Sequence, residues 1–376
     1  MTMKTKVKVN ILSPGRFHVC DLSRELNTHG FDVKFYSFVP KHRLESFGLP
    51  RKCCVSLFGV LAPFVYFERR TNKGENIWAN IRRWLQDFLT SLIMRKADVT
   101  IAMSGEFNRS IKKAKRDGSL IICERGSKHI IDQKHILDSN PSIKVSQITD
   151  SNVKRELMSY ELADYIAVGA KHVETSFLKR GFPKEKLFLN PYGVDLKDFY
   201  PMDNVSKEYD FIMVGTWSYQ KGCDLIVEAI RRTNYTFLHV GAIGDLSFPD
   251  DSQFQHIPPV DQKELYKYYA KAKVFVLPSR QDGLAMVLVQ AVACHLPIIA
   301  SPDGGACDIK EIVANPDCIS IIDDFSADAL LVKMEEMLVF YDLLSNRDYA
   351  GDALNELLWE AYGNRYAGFL NKITNR

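Results

Sequence analysis

The sequence has few features of a membrane-spanning or secreted protein. Its longest apolar stretch, from Cys53 to Phe67, is shorter than the roughly 20 residues that a membrane-spanning helix needs, and Gly59 and Pro63 interrupt it. The chain start leads into strand-like Val7–Leu12 without the apolar core of a signal peptide. Low-complexity segments and short internal repeats are missing as well, which excludes fibrous and repeat architectures. We therefore expect a globular protein without a membrane-spanning helix.

The sequence also lacks the patterns of a metal site, a disulfide framework or a dinucleotide site. Its eight cysteines follow no ligand or disulfide spacing, which predicts reduced thiols and a cytoplasmic protein. The adjacent acids Asp250–Asp251 and Asp323–Asp324 have no further ligand types near them, so we predict no metal. No Gly-x-Gly-x-x-Gly follows the first strand, and we expect no cofactor.

Charge is distributed unevenly along the chain. Residues 1–200 carry 34 Lys and Arg against 21 Asp and Glu, a balance of +13; residues 201–376 carry 15 against 25, a balance of −10. Such a split predicts that the two halves meet different partners. The alternative is a dipolar protein whose two faces are both simply solvated.

Short β-rich runs alternate with amphipathic helical stretches, which is typical of parallel α/β layers. The predicted strands are Val7–Leu12, Val33–Phe38, Val99–Met103, Leu120–Cys123, Tyr165–Val168, Leu187–Leu189, Phe211–Val214, Thr236–Val240, Val274–Leu277, Ile298–Ala300 and Cys318–Ile321. The polar stretch from Tyr192 to Asp210 divides them. We predict α/β domains at 1–195 and 205–350, facing each other across a cleft, and a C-terminal helix at 351–376 that crosses back to the first domain. A single long doubly wound sheet is the alternative.

Two strand–turn–helix segments of the second half have the features of a phosphate site. Residues 211–222 form a strand, a turn at Gly215 and then Lys221-Gly222 where a helix begins. A Lys at a helix N-terminus opposes the helix dipole unless an anion compensates it, which favours phosphate binding over a solvated surface Lys. Residues 278–285 form the second turn, whose N–H groups we expect to face the cleft, with Gly283 admitting a phosphate.

Taken in order, these patterns resemble glycosyltransferase family 4. The resemblance rests on Asn190-Pro-Tyr-Gly-Val-Asp195 with Phe199 and Pro201, Gly215 with Lys221-Gly222, Leu277-Pro-Ser279 with Asp282-Gly283 and Gln290-Ala291, Pro297-Ile-Ile-Ala300, Gly304-Gly305, Leu22-Ser-Arg-Glu-Leu26 with Gly30 and Val33, and Tyr160-Glu-Leu-Ala-Asp164. It covers nearly the whole chain. It implies the GT-B fold of two Rossmann-like domains, a nucleotide-sugar donor, retention at the anomeric carbon and no essential metal.

The resemblance also implies roles for residues of the second half. Lys221 matches the family's phosphate-binding Lys, and Asp282 and Gln290 match its pair of Glu, which would contact the sugar and the ribose. Thr216 stands after Gly215 where the family usually has an Arg, and Arg280 lies close enough in sequence to substitute for it. The predicted donor-binding set in this half is Gly215, Thr216, Arg280, Gly283, Leu284, Ala285 and Gln290, with Lys221 and Asp282 catalytic.

In the first half, two strand ends are candidate parts of the site. Gly15 and Arg16 follow the first strand, where the family has a Gly-rich loop near the donor phosphates. Glu124 and Arg125 end a later strand, where many members carry a His near the reaction centre, and we predict that both are catalytic. The alternative is a structural Glu–Arg pair.

Basic and aromatic side chains cluster in the first half and indicate a surface for anionic lipid or a lipid-linked acceptor. The clusters are Phe64, Tyr66, Phe67, Arg69 and Arg70; Trp78, Arg82, Arg83 and Trp84; and Arg109, Lys112, Lys113, Lys115 and Arg116. For the helix that contains Trp78, one apolar face packed on the sheet and one solvated face is an equal alternative. The donor motifs argue against nucleic acid as the partner.

The sequence as a whole predicts a retaining, metal-independent glycosyltransferase of the hexosyltransferase type, acting in polysaccharide or glycolipid biosynthesis. We expect it in the cytoplasm and peripherally at the inner face of the membrane. Two alternatives stay open. Thr216 and Gln290 allow a GT-B-like nucleotide-sugar-binding protein that has lost activity, and a related scaffold could serve a nucleotide-sugar epimerase, which needs no acceptor.

Overall fold

The structure, a computed structural model, describes residues 6–70, 77–139, 148–202, 204–344 and 348–375. Two parallel sheets form its frame. The first has seven strands in the order β3-β2-β1-β4-β5-β6-β7, and the second has six in the order β10-β9-β8-β11-β12-β13. The strands are β1 Lys8–Leu12, β2 Asp32–Ser37, β3 Cys54–Ser56, β4 Val99–Met103, β5 Leu120–Arg125, β6 Tyr165–Val168, β7 Leu187–Leu189, β8 Tyr209–Val214, β9 Phe237–Val240, β10 Phe254–Ile257, β11 Ala272–Leu277, β12 Ile298–Ala300 and β13 Ile319–Ile321.

Most strands are followed by a helix that leads to another strand of the same sheet, so the strands run parallel to one another. They are α1 Phe17–Thr28, α2 Lys41–Ser46, α3 Phe58–Arg70, α4 Ile77–Ile93, α5 Asn108–Arg116, α6 Ile130–Asp138, α7 Asp150–Leu162, α8 Lys171–Leu178, α9 Cys223–Arg231, α10 Leu265–Tyr269, α11 Met286–Ala293, α12 Ala306–Lys310, α13 Ala327–Leu343 and α14 Trp359–Ile373. In each sheet the carboxyl ends of the strands lie at one edge, where loops place ligand-binding side chains in folds of this kind.

The apolar sequence of the central strands explains why they are buried. In β11, Val274 and all residues up to Leu277 are inaccessible to solvent, as are the residues of β12. Parallel sheets are covered on both faces, so their central strands are apolar without interruption. The predicted strands agree with the observed ones within two residues at each end, and the α/β class is confirmed.

Two strands, β3 and β10, were not predicted. Each lies at the edge of its sheet and pairs with one neighbour. An edge strand is covered less completely and needs fewer apolar residues, as the Gln255-His256 pair in β10 illustrates. The apolar sequence pattern that predicts a strand is therefore weakest in the strands at the edges of a sheet.

The segment between β7 and β8 contains the predicted division at 195 and 205. After it, α14 returns to the first sheet and packs against α1. Gly363 makes this contact close, because a Cβ at that position would lie 2.4 Å from the Cβ of Glu25. In the described part of the chain no helix combines the length and hydropathy that crossing a membrane requires.

Candidate active site

Lys221 lies in the turn that joins β8 to α9. The turn is fixed by Gly222, which has φ 73° and is the residue before α9 begins. A Cβ at Gly222 would lie 2.2 Å from the carbonyl oxygen of Pro278, so only glycine fits here. The first turn of α9 and the Lys221 ammonium therefore lie beside the turn that follows β11.

Asp282 approaches Lys221 from that second turn. The Lys221 ammonium and the Asp282 carboxylate form an ion pair, and their side chains are 20% and 19% exposed. Asp282 also accepts a hydrogen bond of 2.9 Å from the N–H of Gly283. The two residues predicted as catalytic in the second half are thus brought together, although 60 residues separate them in sequence.

Three N–H groups of the second turn are bonded inside the second domain. Those of Arg280, Asp282 and Ala285 donate to the carbonyl oxygens of Gln220, Asp303 and Gly304 at 2.9 to 3.0 Å. A ligand could use these three only by displacing their partners. The N-terminus of α11, which begins directly after Ala285, lies beside this turn.

Gly283 allows a close contact between the two domains. A Cβ there would lie 2.1 Å from the carbonyl oxygen of Gly126 in the first domain. The glycine therefore admits a loop of the first domain, and the expectation that it also admits a phosphate stays a prediction.

Arg280 is occupied within the second domain. Its guanidinium makes two hydrogen bonds of 2.6 Å to the carboxylate of Asp224 and lies 3.8 Å from the ring centroid of Tyr219. A bidentate Arg–carboxylate pair is strong and directional, so leaving it would be costly. The prediction that Arg280 replaces the cation missing at Thr216 is not supported by this geometry.

Gln290 lies two helical turns beyond Asp282 and is buried. Its Oε1 accepts a hydrogen bond of 3.1 Å from the hydroxyl of Tyr269, which is fully enclosed. The oxygen of the amide is thereby held inward. Gln290 would meet a ribose through its NH₂ group, as a donor, and not through an acceptor as a Glu would.

Glu124 and Arg125 leave the end of β5 toward opposite faces of the sheet, as neighbouring strand residues do. Glu124 is buried, accepts a hydrogen bond of 2.6 Å from the Tyr366 hydroxyl of α14, and lies 3.0 Å from Nε2 of His18 in α1. Both of its oxygens are therefore used, and it joins α14 to α1 of the first domain.

Arg125 forms a separate, structural cluster. It pairs with Glu156 at 3.0 Å and donates to the carbonyl oxygen of Lys128 and to Oε1 of Gln133. With these acceptors around it, the Arg125 guanidinium is engaged within the first domain, and its catalytic role stays a prediction. The alternative of a Glu–Arg pair is half right, because the partner is Glu156 and not Glu124.

Gly15 and Arg16 lie in the loop after β1. The Arg16 guanidinium donates to Oε1 of Gln262 in the second domain at 2.6 Å and lies 3.6 Å from the ring centroid of Phe47. It lines a polar cavity of about 530 Å³ whose walls come from α1, the linker at 194–198 and the start of α14. Arg16 therefore connects the two domains at this cavity.

Phe17, the next residue, was not among the residues predicted to form the site. It has φ 34° and is 53% exposed at the start of α1. Positive φ is rare for a bulky side chain and costs roughly 1–3 kcal/mol, and such residues are concentrated at functional sites.

A second group that sequence reasoning missed joins the domains directly at the Asp282 turn. Gln281 is fully buried, donates to the Ser127 hydroxyl across the cleft and accepts a hydrogen bond of 3.0 Å from Gln220. His172, at the start of α8, lies 3.2 Å from the carbonyl oxygen of Asp282 through its Nε2. The turn that carries Asp282 is thus held by the first domain as well as by its own.

The electrostatics of the site are set by these pairs and by burial. Burial raises the pKa of Tyr192, whose ring stacks on His18 at 4.2 Å, and the carboxylates of Glu124 and Asp282 raise it further. Burial also lowers the pKa of His239 to about 4. His239 is therefore neutral near pH 7, and it lies 2.8 Å from the carbonyl oxygen of Gly215 through Nε2. Among the described residues, no group of three or more His, Cys, Asp or Glu could hold a metal ion.

Comparison with known proteins gives this site a context. Residues 198–346 match the family model "Glycosyl transferases group 1". An uncharacterized glycosyltransferase of Methanocaldococcus jannaschii is 32% identical over 111 residues, which are 27% of this chain and 31% of that protein. A GDP-mannose-dependent alpha-(1-6)-phosphatidylinositol monomannoside mannosyltransferase of Mycolicibacterium smegmatis is 24% identical over 243 residues, covering 56% of this chain and 62% of its own. These alignments thus span about one to two thirds of the relatives' length.

The likeness in structure extends over the whole chain. The Anabaena protein HepE, crystallised with UDP and glucose, superposes with a TM-score of 0.66 at 13% identity and covers 97% of this chain and 100% of its own. At that identity the likeness concerns the fold, which is GT-B: two Rossmann-like domains, with α14 packed against the first.

Proposed function

We propose, from the match of residues 198–346 to the family model of the glycosyl transferases of group 1, that the chain is a retaining glycosyltransferase. It moves a hexose from a nucleotide-sugar donor to a glycan or lipid-linked acceptor. The second domain, about residues 205–350, binds the donor, and the first, about residues 1–195, binds the acceptor. The observation that carries this proposal is the meeting of Lys221 and Asp282 from two separate turns at the carboxyl edge of the second sheet.

The Lys221–Asp282 pair supplies what the leaving group requires. As the bond between sugar and diphosphate breaks, negative charge grows on the phosphate oxygens, and a fixed cation at a helix N-terminus stabilises it. The donor's diphosphate binds the Lys221 ammonium in place of Asp282. The Asp282 carboxylate then accepts hydrogen bonds from sugar hydroxyls. The ion pair thus places the Lys221 ammonium and the Asp282 carboxylate side by side, where the donor's diphosphate and sugar meet.

Retention at the anomeric carbon is consistent with the residues around the Lys221–Asp282 pair. Glu124, a buried carboxylate of the first domain, has both oxygens engaged by Tyr366 and His18, so it is not placed as a free nucleophile. In the mechanism that the family resemblance implies, the acceptor hydroxyl attacks on the face that the diphosphate leaves, and the leaving phosphate takes its proton. That chemistry needs no enzymic nucleophile.

Support for the donor class comes from the relatives. HepE was crystallised with UDP and glucose, and the mycobacterial relative uses GDP-mannose by name. We therefore propose a nucleoside-diphosphate hexose as donor, bound by the loops at Gly15, Gly215–Thr216 and Leu284–Ala285 and by Gln290. We further propose that the protein acts in polysaccharide or glycolipid synthesis in the cytoplasm, at an anionic membrane surface.

Donor turnover tests the proposal. The protein is incubated with UDP-glucose and, separately, with GDP-mannose, and released nucleoside diphosphate is measured with and without a membrane extract as acceptor source. Release that rises with acceptor supports transfer. An inactive binding protein would bind donor, seen as a raised melting temperature, without releasing diphosphate. Conversion of the donor to an isomer without any acceptor would indicate the epimerase.

A further inference from the structure

Helix α4 turns its apolar side chains toward water. Ile77, Trp84 and Leu92 are 64%, 61% and 63% exposed, and Ile81 is exposed as well, so one helical face carries the whole stripe. The side chains that α4 buries are polar instead: Gln86, Thr90 and Ser91. An amphipathic helix that packed on its own domain would have the opposite arrangement.

Helix α3 packs beside α4 and extends the exposed apolar surface. Phe58, Val60, Tyr66 and Phe67 are all exposed. The side chain of Arg69, which we assigned to a basic cluster in this segment, lies outside the described residues. A contiguous apolar surface of this kind on a globular protein marks a contact with another molecule or with lipid.

Cations border this apolar surface along α5. A groove of about 670 Å³ runs between α4 and α5, with Trp84 and Leu162 as apolar walls and Arg109, Lys112 and Arg116 at its edge. These three are exposed and span about 10 Å of helix at 1.5 Å per residue. In the described part of the chain no carboxylate pairs with any of them, and Asp87, the acid in the groove, is bonded to the N–H groups of Arg109 and Ser110.

Three other cations of these clusters are already paired with carboxylates. Arg83 bonds to Glu106 at 3.0 Å, Lys113 to Asp117 at 3.0 Å and Lys115 to Asp164 at 3.2 Å. Among the described cations that line the groove, Arg109, Lys112 and Arg116 are therefore the ones left for a ligand, and they lie beside Trp84 of the apolar stripe.

We propose that the α4–α5 groove binds the phosphate head group of an anionic lipid, while the exposed stripe of α4 lies in the lipid interface. An apolar face flanked by cations matches a membrane surface, where a helix can lie with its apolar side roughly 5–10 Å below the head groups. A soluble anion would satisfy the cations but would leave the stripe in water, and nucleic acid would do the same. The proposal assigns a place and a lipid chemistry to the membrane association suggested above and does not depend on the transfer reaction.

The test measures partition of the full chain between water and vesicles of phosphatidylcholine, with and without phosphatidylglycerol. We compare wild type with the triple variant Arg109→Ser, Lys112→Ser, Arg116→Ser. The matched control removes three exposed cations elsewhere in the first domain: Lys41→Ser, Arg43→Ser, Lys179→Ser. Each cation near an anionic surface strengthens binding by about fivefold, so the groove variant should bind roughly 100-fold more weakly in low salt. The control should bind as wild type does.

The insertion of α4 into the lipid is measured separately from the binding of the cations to the head groups. Trp84 fluorescence should be quenched by lipids with brominated acyl chains, and the Trp84→Phe variant should lose most of that quenching. Donor turnover with a soluble acceptor reports on glycosyl transfer alone, so failure of the membrane proposal and failure of the proposed function are distinguishable. Unchanged melting temperatures show that the variants are folded.

Four results would overturn the proposal. Wild type could ignore phosphatidylglycerol vesicles in low salt. The groove variant and the control could lose binding equally, which would make net charge and not the groove responsible. Glycerol phosphate in solution could bind as tightly as the vesicles, or the stripe could be covered by a second copy, seen as a dimer that Trp84→Ala dissociates. In either of these last cases lipid is not the occupant.

Discussion

The most direct consequence of the site concerns Lys221→Ala. The Lys221 ammonium is about four-fifths covered and pairs with Asp282 across two turns of the second domain. Removing the ammonium lowers both the free energy of unfolding and the turnover rate, but to different extents. Folding loses one partly exposed ion pair, which contributes up to about 1 kcal/mol. Turnover loses a preorganised charge at the leaving phosphate, which lowers the rate by roughly 100-fold, or about 2.7 kcal/mol.

A matched pair at the opposite edge of the same sheet separates the two effects. Lys273 lies at the start of β11 and pairs with Asp210 at 3.0 Å, with side chains that are similarly covered. Lys273→Ala should therefore cost about as much folding free energy as Lys221→Ala and leave turnover unchanged. Urea unfolding gives the first quantity for both variants, and initial rates of nucleoside diphosphate release under saturating donor give the second.

The reasoning fails if both variants keep wild-type turnover, because another cation must then serve the diphosphate. It fails as well if both lose turnover in proportion to stability, since Lys221 would then act only through the fold. Asp282→Asn provides a further check. The neutral amide keeps the N–H contact of Gly283 but leaves sugar hydroxyls a weaker acceptor, so turnover should fall while Lys221 still binds the phosphate.

The remaining predictions concern metal, domain contact and pH. Turnover should persist in excess EDTA; its complete loss, with recovery on adding magnesium or manganese, would contradict the mechanism. Ser127→Ala removes the hydroxyl that Gln281 contacts across the cleft, and because one hydrogen bond contributes about 0.5–1.5 kcal/mol, the free energy of unfolding in urea should fall by about that amount; an unchanged value would show that this contact does not hold the domains together. The pKa of His239 in the folded chain is about 4, below the ordinary 6.5. As pH falls, the unfolded chain is therefore protonated at this residue before the folded chain is. The contribution of neutral His239 to the free energy of unfolding is fully present above pH 6.5 and falls by up to about 3 kcal/mol as pH drops toward 4. Urea titrations of His239→Gln should show a shallower pH slope than wild type, and an equal slope would assign the dependence to other groups.

Much of the architecture follows from periodicity that the sequence carries locally. The runs Val274–Leu277 and Ile298–Ala300 are apolar without interruption because both faces of a central parallel strand are covered, and they could be predicted for that reason. The position of Lys221 at a helix start followed from Gly222, whose positive φ only glycine adopts easily. Edge strand β10 escaped prediction because its exposed side tolerates polar residues.

The partners of individual side chains were not predictable in the same way. Nothing in the sequence says that Arg280 bonds to Asp224 and not to a phosphate, or that Gly283 admits Gly126 of the other domain. The same holds for α4, in which the apolar stripe is evident from the spacing of Ile77, Ile81 and Trp84 while its outward direction is not.

The sequence by itself determined the alternation of strands and helices, the turns after β8 and β11, the position of Lys221 beside a helix start and the charge asymmetry between the halves. These depend on residues close together in the chain, where backbone geometry and helix dipoles act directly. The tertiary structure decided which face of each element is covered, which cation is already paired and which loop of one domain touches the other. Those outcomes depend on contacts between residues 50 to 250 positions apart, such as Arg16 with Gln262 and Glu124 with Tyr366, and such contacts exist only once both sheets and α14 have packed.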